Sequence, residues 1–194
     1  MTETEELSRH RLELAIEMER QPVKGAVLSP ARDGKSLFRF ALWRQWDSSL
    51  DLLGVVMLNP STADSRQDDH TIRRLVFFAK KHGYGGFVVT NLYAYRATDP
   101  YELLQFGLSD AVGLDNDEWI KAACHDREVL VAWGNSGGAP RASHVVDLVR
   151  PVARKLLSLG YNNNGSPPHP ARLPDWATLV AWPKPADNGD TEHD

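Results

Sequence analysis

The stretch Leu52-Leu-Gly-Val-Val-Met-Leu-Asn-Pro60 decides the fold of this chain. Its first seven residues form a continuous apolar run, which is typical of a strand covered on both faces by helices. The run stops abruptly at Asn59-Pro60, so the strand ends there. Similar runs follow at Phe87-Val-Val-Thr-Asn-Leu92 and Val129-Leu-Val-Ala-Trp133, and Lys155-Leu-Leu-Ser-Leu159 predicts a fourth short strand. Strands of this kind indicate a parallel sheet.

Helical patterns lie between the strands. Asp69 or Thr71 can cap a helix with an apolar stripe made of Ile72, Leu75, Val76 and Ala79. Further helices are predicted near residues 101–106, 115–125 and 141–149. Strands that alternate with helices predict an α/β fold, here a three-layer αβα sandwich around a central, mostly parallel four-stranded sheet.

Upstream of this core, the segment Leu37–Trp46 alternates apolar and charged residues. That alternation predicts an antiparallel edge strand with one face in water. Residues 1–36 are predicted to form an N-terminal helix over 3–20 followed by a connector over 21–35. Residues 37–182 form the predicted single domain, and residues 183–194 a disordered acidic tail.

Composition excludes several classes of protein. Hydrophobic residues make up 42% and charged residues 25% of the 194 residues, which excludes a collagenous, coiled-coil or wholly disordered chain. The absence of a long apolar window predicts no membrane span. An acidic N-terminus and a single cysteine, Cys124, favour the cytoplasm. The net charge of −4 arises at the two acidic ends, so the body of the chain neither requires nor forbids nucleic acid.

In an open parallel sheet, ligands bind beyond the carboxyl ends of the strands. The sequence places Asn59, Asn91, Gly134 and His169 there, or in the loop that follows. The Asn91 carboxamide can read the edge of a planar heterocycle, and Asn59 can hold a water molecule. His169 can donate a hydrogen bond to an atom that gains negative charge. Turn formation, loop capping and turn satisfaction are the structural alternatives for Asn59, Asn91 and His169 respectively.

Aromatic and basic residues directly follow Asn91. Tyr93, Tyr95 and Arg96 suit stacking on a nucleobase, although either tyrosine can instead pack under the loop. The predicted catalytic residues are Asn59 and His169. The predicted substrate-binding residues are Pro60, Ser61, Asn91, Tyr93, Tyr95, Arg96, Gly134 and Asn135.

An acidic loop offers a different chemistry. Asp64, Asp68, Asp69 and His70 cluster in the sequence and are ligand types for a divalent metal. Their spacing fits no standard ligand signature, and the start of a helix also favours acidic residues. We therefore predict neither a metal nor another cofactor, and keep a metal-dependent hydrolase as an alternative.

Several strings together resemble a bacterial and phage family, the domain of unknown function numbered 1643. They are Val56–Asp64, Asp68–Arg74, Thr90–Pro100 and Ala132–Asn135, followed by His169-Pro170. The resemblance spans about residues 37–182. This chain departs from the family pattern in having Ala171-Arg172 after His-Pro, where the family typically has Leu-Tyr.

More distantly, the order of the motifs resembles the uracil-DNA glycosylase superfamily. That resemblance implies that Asn59-Pro60 positions a hydrolytic water, that Asn91 reads the base and that His169 stabilises the leaving base. Trp133-Gly134 is similar to the turn that ends the third strand. The serine expected after His169-Pro170 is missing, and Leu58 stands where a glycine is expected.

The predicted function is hydrolysis of an N-glycosidic bond of a nucleobase, in DNA or in a nucleotide. A binding module that recognises a modified base or nucleotide without chemistry is the second hypothesis. The expected partners are a nucleobase, a nucleotide or DNA, and the sequence leaves the oligomeric state open.

Overall fold

The computed structural model describes residues 23–29, 36–61, 63–64, 67–99, 101–136 and 139–185. Its strands are β1 Val23–Leu28, β2 Arg39–Gln45, β3 Leu52–Met57, β4 Gly86–Asn91, β5 Glu128–Val131, β6 Lys155–Ser158 and β7 Val180–Ala181. Its helices are α1 His70–Lys81, α2 Tyr101–Phe106, α3 Leu108–Val112, α4 Asn116–Cys124 and α5 Ala139–Val149. Short 3-10 turns occur at Gly134–Ser136 and Pro170–Arg172.

The strands form one seven-stranded sheet in the order β1-β2-β4-β3-β5-β6-β7. The four central strands β4, β3, β5 and β6 run parallel to one another, which confirms the predicted α/β fold with parallel central strands. Strands β1, β2 and β7 pair antiparallel at the two sides. The sheet therefore has three antiparallel strands where the sequence predicted one.

Helices cover both faces of the sheet because successive residues of the buried strands point in opposite directions. Val55 belongs to the cluster that includes Ile72 and Phe78 of α1. Val56, its neighbour, belongs to the cluster that includes Ile120 of α4 and residues of α5. The Asp69 side chain caps α1 by accepting a hydrogen bond from the backbone N–H of Ile72 at 2.8 Å. Of the two predicted caps, Asp69 is the one used.

Two predictions about the first strands were wrong. The predicted connector contains β1, which pairs with β2 over its whole length, so the strand within Leu37–Trp46 lies inside the sheet and not at its edge. Gly25, which suggests a connector in the sequence, is needed in β1 because the Trp43 indole lies across it. A Cβ atom at position 25 would lie 1.9 Å from the Trp43 ring.

The charged face of β2 is also not in water. Arg39 and Arg44 are 3% and 2% exposed. Arg44 pairs with Asp68 at 2.7 Å and donates to the backbone oxygens of Asp64 and Trp43. The pattern that predicted a wet face therefore marks arginines that hold the loop between β3 and α1.

The predicted N-terminal helix over 3–20 and most of the predicted acidic tail, residues 186–194, lie outside the described residues. Among the helices that are described, none combines the length and the apolar character needed to cross a membrane.

Candidate functional site

The parallel strands β3, β4, β5 and β6 end at one side of the sheet, which we call the carboxyl edge. There the Asn59 side chain connects the loops after β3 and β4. Its Nδ2 donates to the backbone oxygen of Ala97 at 2.7 Å and to that of Pro60 at 3.1 Å. Its Oδ1 accepts no hydrogen bond from the described residues. Asn59 therefore has a structural role through its amide nitrogen and one acceptor left for a ligand or water.

Asn91 ends β4 and is 1% exposed. Neither Nδ2 nor Oδ1 of its carboxamide has a hydrogen-bond partner among the described residues. Strand alternation places the side chain on the α1 side of the sheet, the same side as Val89. Because nearly all buried polar groups in proteins are hydrogen-bonded, an amide with two unpartnered atoms points to a missing partner.

Asn116, at the start of α4, was not predicted as a site residue. It is also 1% exposed, and its Nδ2 donates to the backbone oxygens of Asn91 at 3.0 Å and Leu92 at 3.3 Å. It therefore holds the end of β4 in place from the opposite side of the sheet. No signal in the sequence marks this contact, since its partners lie 24 and 25 residues earlier.

His169 lies at the N-cap of the turn Pro170–Arg172, where its Nδ1 accepts a hydrogen bond from the backbone N–H of Ala171 at 3.3 Å. An acceptor at Nδ1 assigns the proton of the neutral imidazole to Nε2. Burial lowers the pKa of His169 below its usual 6.5, and the positive charge of Arg172 acts in the same direction. The Asp69 carboxylate opposes this shift. At neutral pH, His169 is thus an uncharged hydrogen-bond donor.

Helix α1 anchors the loop that carries His169. Arg74 donates to the backbone oxygen of Leu173 at 2.7 Å and pairs with Asp175 at 2.6 Å. Lys81 donates to the backbone oxygens of Asp175 and Ala177. These contacts hold the segment that follows His169 against α1.

Gly134 brings the end of β5 next to the same loop. Its backbone N–H donates to the Pro167 oxygen at 3.0 Å, and a Cβ atom at this position would lie 3.6 Å from the Cβ of His169. A φ of +72° favours glycine there. The structure therefore brings Gly134 and His169 together.

A cleft of about 440 Å³ opens beside this turn, between α5 and the loop after β6. Gly134, Asn135, Trp133, Ser166 and Trp182 are among its lining residues. Asn135 Oδ1 accepts hydrogen bonds from Ser166 Oγ at 2.6 Å and from an asparagine Nδ2 of the same loop at 2.8 Å. The volume of the cleft lies within the usual range for small-molecule sites.

The aromatic residues after Asn91 are engaged in packing. Tyr93 is buried in the core beside Trp133, and burial raises the pKa of its phenol. The Tyr95 ring stacks on Phe106 with centroids 4.1 Å apart. Arg96 donates to the backbone oxygen of Ser36 at 3.5 Å. A stacking role for either tyrosine stays a prediction, as do binding roles for Pro60, which is buried, and Ser61, which is half-buried.

The acidic residues before α1 are held by other contacts. Asp68 pairs with Arg44, Asp69 caps α1, and Asp64 Oδ1 accepts from the backbone N–H of Gln67 at 2.8 Å. Within the described ranges, no three His, Cys, Asp or Glu side chains form a group that could hold a metal ion.

Cys124 is buried and free, and burial raises the pKa of its thiol to about 12. Such a thiol is protonated at neutral pH and therefore a poor nucleophile.

Comparison with known proteins places the chain in a family. Searches of curated proteins and of solved structures returned no match. A family model described as "Protein of unknown function (DUF1643)" matches residues 39–171, which include β2 through β6 and extend to the turn after His169. This match covers well over half of the chain, and the chain therefore belongs to the DUF1643 family.

Proposed function

We propose that this protein binds a nucleobase at the carboxyl edge and hydrolyses its N-glycosidic bond. The buried Asn91 carboxamide, with both polar atoms unpartnered, carries the proposal. An amide offers a donor and an acceptor side by side, and the edge of a nucleobase offers the complementary pair. A base that makes both hydrogen bonds satisfies the two buried atoms at once.

His169 has the properties that departure of the base requires. When the bond to the sugar breaks, the base leaves with the bonding electron pair and gains negative charge. A neutral imidazole with its proton on Nε2 can donate a hydrogen bond to that charge. The contact between the Ala171 N–H and Nδ1 keeps the tautomer in this state.

Asn59 Oδ1 is the proposed acceptor for the hydrolytic water. The water oxygen forms a bond to C1′ of the sugar as the bond to the base breaks, and one proton of the water ends on the released base through the solvent. The Asn59 amide nitrogen is fixed by Ala97 and Pro60, so Oδ1 is held in one orientation. Preorganised acceptors of this kind need no rearrangement during the reaction.

The arrangement of the motifs also supports the proposal. Asn91 ends β4, Asn59 and Gly134 follow β3 and β5, and His169 follows β6, in the order that resembles the uracil-DNA glycosylase superfamily. Leu58 and Ala171 depart from that superfamily's pattern. The departures affect residues next to the proposed water and leaving-group positions, so the base and its sugar context need a direct test.

The test is a base-release assay on oligonucleotides and nucleotides that carry uracil, hypoxanthine, a mismatched thymine or an alkylated base. We expect release by the wild-type protein and its loss in Asn59→Ala and His169→Ala. The matched control is His125→Ala. His125 lines a different cleft, at the edge of the sheet opposite to the carboxyl edge. Release that persists in His169→Ala contradicts the mechanism.

A binding module without chemistry is the second candidate. It is favoured by the commitment of the Asn59 amide to two backbone oxygens, which resembles a structural contact. It predicts Asn91-dependent binding of a base or nucleotide with no release from any substrate. Release that stops with a chelator and returns with a divalent ion would instead support the metal-dependent hydrolase.

A further inference from the structure

Arg39 is a buried cation with few partners. A shift in register between β1 and β2 pairs Leu28 with Arg39 and leaves out Phe40, so that Arg39 reaches the α1 side of the sheet. Its Nη1 donates to the backbone oxygen of Ala63 at 2.6 Å. Its Nε is sealed from solvent without a hydrogen-bond partner, and Arg39 forms no ion pair with any described residue.

Charges of both signs surround Arg39, and none of the carboxylates among the described residues forms an ion pair with it. Burial, with smaller contributions from the guanidinium groups of Arg96 and Arg44, lowers the pKa of Arg39 to about 10, while the carboxylates of Asp69 and Asp64 oppose the shift. Arg44 is already neutralised by Asp68. Asp69 is used as the cap of α1. Arg39 thus remains charged at neutral pH without a carboxylate in contact.

Such a guanidinium needs an anion. Removing a charge from water without a paired partner costs several kcal/mol, so buried arginines in proteins normally pair with a carboxylate or a phosphate. The planar guanidinium fits two oxygens of a phosphate at once, and the unpartnered Nε of Arg39 is one of the donors of that fork.

The position of Arg39 connects it to the proposed base site. Arg39 Nη1 binds the backbone oxygen of Ala63 in the loop that leads into α1, and Asp69, which caps α1, influences the pKa of both Arg39 and His169. Arg39 and Asn91 lie on the same side of the sheet, and the backbone N–H of Arg39 donates to Ala94, three residues after Asn91. A base on Asn91 therefore leaves its phosphate within the same region.

We propose that Arg39, assisted by Arg96, binds a phosphate group, and that the ligand of this protein is a phosphorylated nucleotide and not a free base or nucleoside. The assignment of this phosphate to a nucleotide rests on the proposed function, whereas the phosphate subsite itself does not. The phosphate belongs either to a free nucleotide or to a DNA strand, which share the same chemistry.

The experiment is calorimetric titration of the full chain with inorganic phosphate, deoxyuridine, deoxyuridine 5′-monophosphate and a short single-stranded oligonucleotide containing uracil. We expect the monophosphate to bind at least about tenfold more tightly than the nucleoside, as one charge-assisted contact provides. Tighter binding of the oligonucleotide assigns the phosphate to DNA, and tighter binding of the monophosphate assigns it to a free nucleotide.

The variants are Arg39→Met and Arg96→Gln, with Arg154→Met as the matched control because Arg154 pairs with Asp51 at the opposite edge of the sheet. Arg39→Met should abolish the advantage of the monophosphate over the nucleoside, and Arg96→Gln should reduce it. If Arg39→Met does not fold by circular dichroism, the Arg96→Gln result decides.

Equal affinity for nucleoside and monophosphate in the wild-type protein overturns the inference, even if base release is observed. Arg39-dependent binding of inorganic phosphate supports it, even if no base is released. The two results therefore separate failure of this inference from failure of the proposed function.

Discussion

Replacement of Asn91 by leucine should make the protein more stable and unable to bind a nucleobase. Leucine has nearly the shape of asparagine and carries no polar atoms. Each unpartnered buried polar atom costs about 1–3 kcal/mol, so removing the two on Asn91 at the low end of that range gains about 2 kcal/mol. For a chain of this size, that gain raises the Tm by about 4–8 °C.

Asn116 provides a matched control for this prediction. It is as buried as Asn91, but its Nδ2 makes two hydrogen bonds to the backbone. Asn116→Leu removes both hydrogen bonds, at about 0.5–1.5 kcal/mol each, together with an Oδ1 atom that is buried without a partner, so the two effects offset and little net gain in the free energy of unfolding is expected. The two asparagines are equally buried, and only replacement of Asn91 is expected to raise the stability substantially.

The assay is urea unfolding of the wild-type protein and both variants, followed by circular dichroism. Thermal unfolding with and without a saturating nucleotide gives the binding readout, because a ligand that binds only the folded state raises the Tm. The ligand should raise the Tm of the wild-type protein and not that of Asn91→Leu. If Asn91→Leu is no more stable than Asn116→Leu, the Asn91 amide has partners in the ligand-free protein and the reasoning is refuted.

Three further predictions concern the groups around the site. Arg44→Met should lower the free energy of unfolding in urea by about 3–5 kcal/mol, because it leaves Asp68 without its buried partner. Adding Asp68→Leu should recover part of this loss, whereas additive losses would contradict the pairing. The pKa of His169 is lowered in the folded state, so stability should be retained above pH 6.5 and fall as the pH drops through the lowered pKa. His169→Asn should show a shallower fall in Tm between pH 7 and pH 5, and identical slopes would exclude the shift. Arg74→Ala should lower the rate of base release, because it frees the loop that carries His169. Arg73→Ala, at the adjacent exposed position, should leave that rate unchanged. Equal rates of base release for the two variants would show that Arg74 does not position the loop.

The parallel core of the sheet was predictable because its signal is local. A run such as Val55-Val56 is apolar at every position, and only a strand buried on both faces needs that composition. The positions of Asn59 and Asn91 at strand ends follow from the same local signal, since each stands where such a run ends. The cap at Asp69 follows from a short-range rule as well.

Features that depend on distant partners were not predictable. Arg44 reads as a solvent-facing residue until Asp68, 24 positions later, is brought next to it. Strand β7 has two residues, too few for any periodic pattern, and exists because β6 offers it an edge. The contact of Asn116 with the end of β4 likewise joins two elements that no short motif connects.

Because the Trp43 indole packs across Gly25, the residue types allowed at these two positions depend on each other. Any side chain at position 25 would occupy the space of the Trp43 ring. Among relatives that keep β1 paired with β2, a residue larger than glycine at position 25 should therefore occur together with a smaller residue at position 43. A substitution at either position alone would leave this space empty or overfill it, so the two positions should covary.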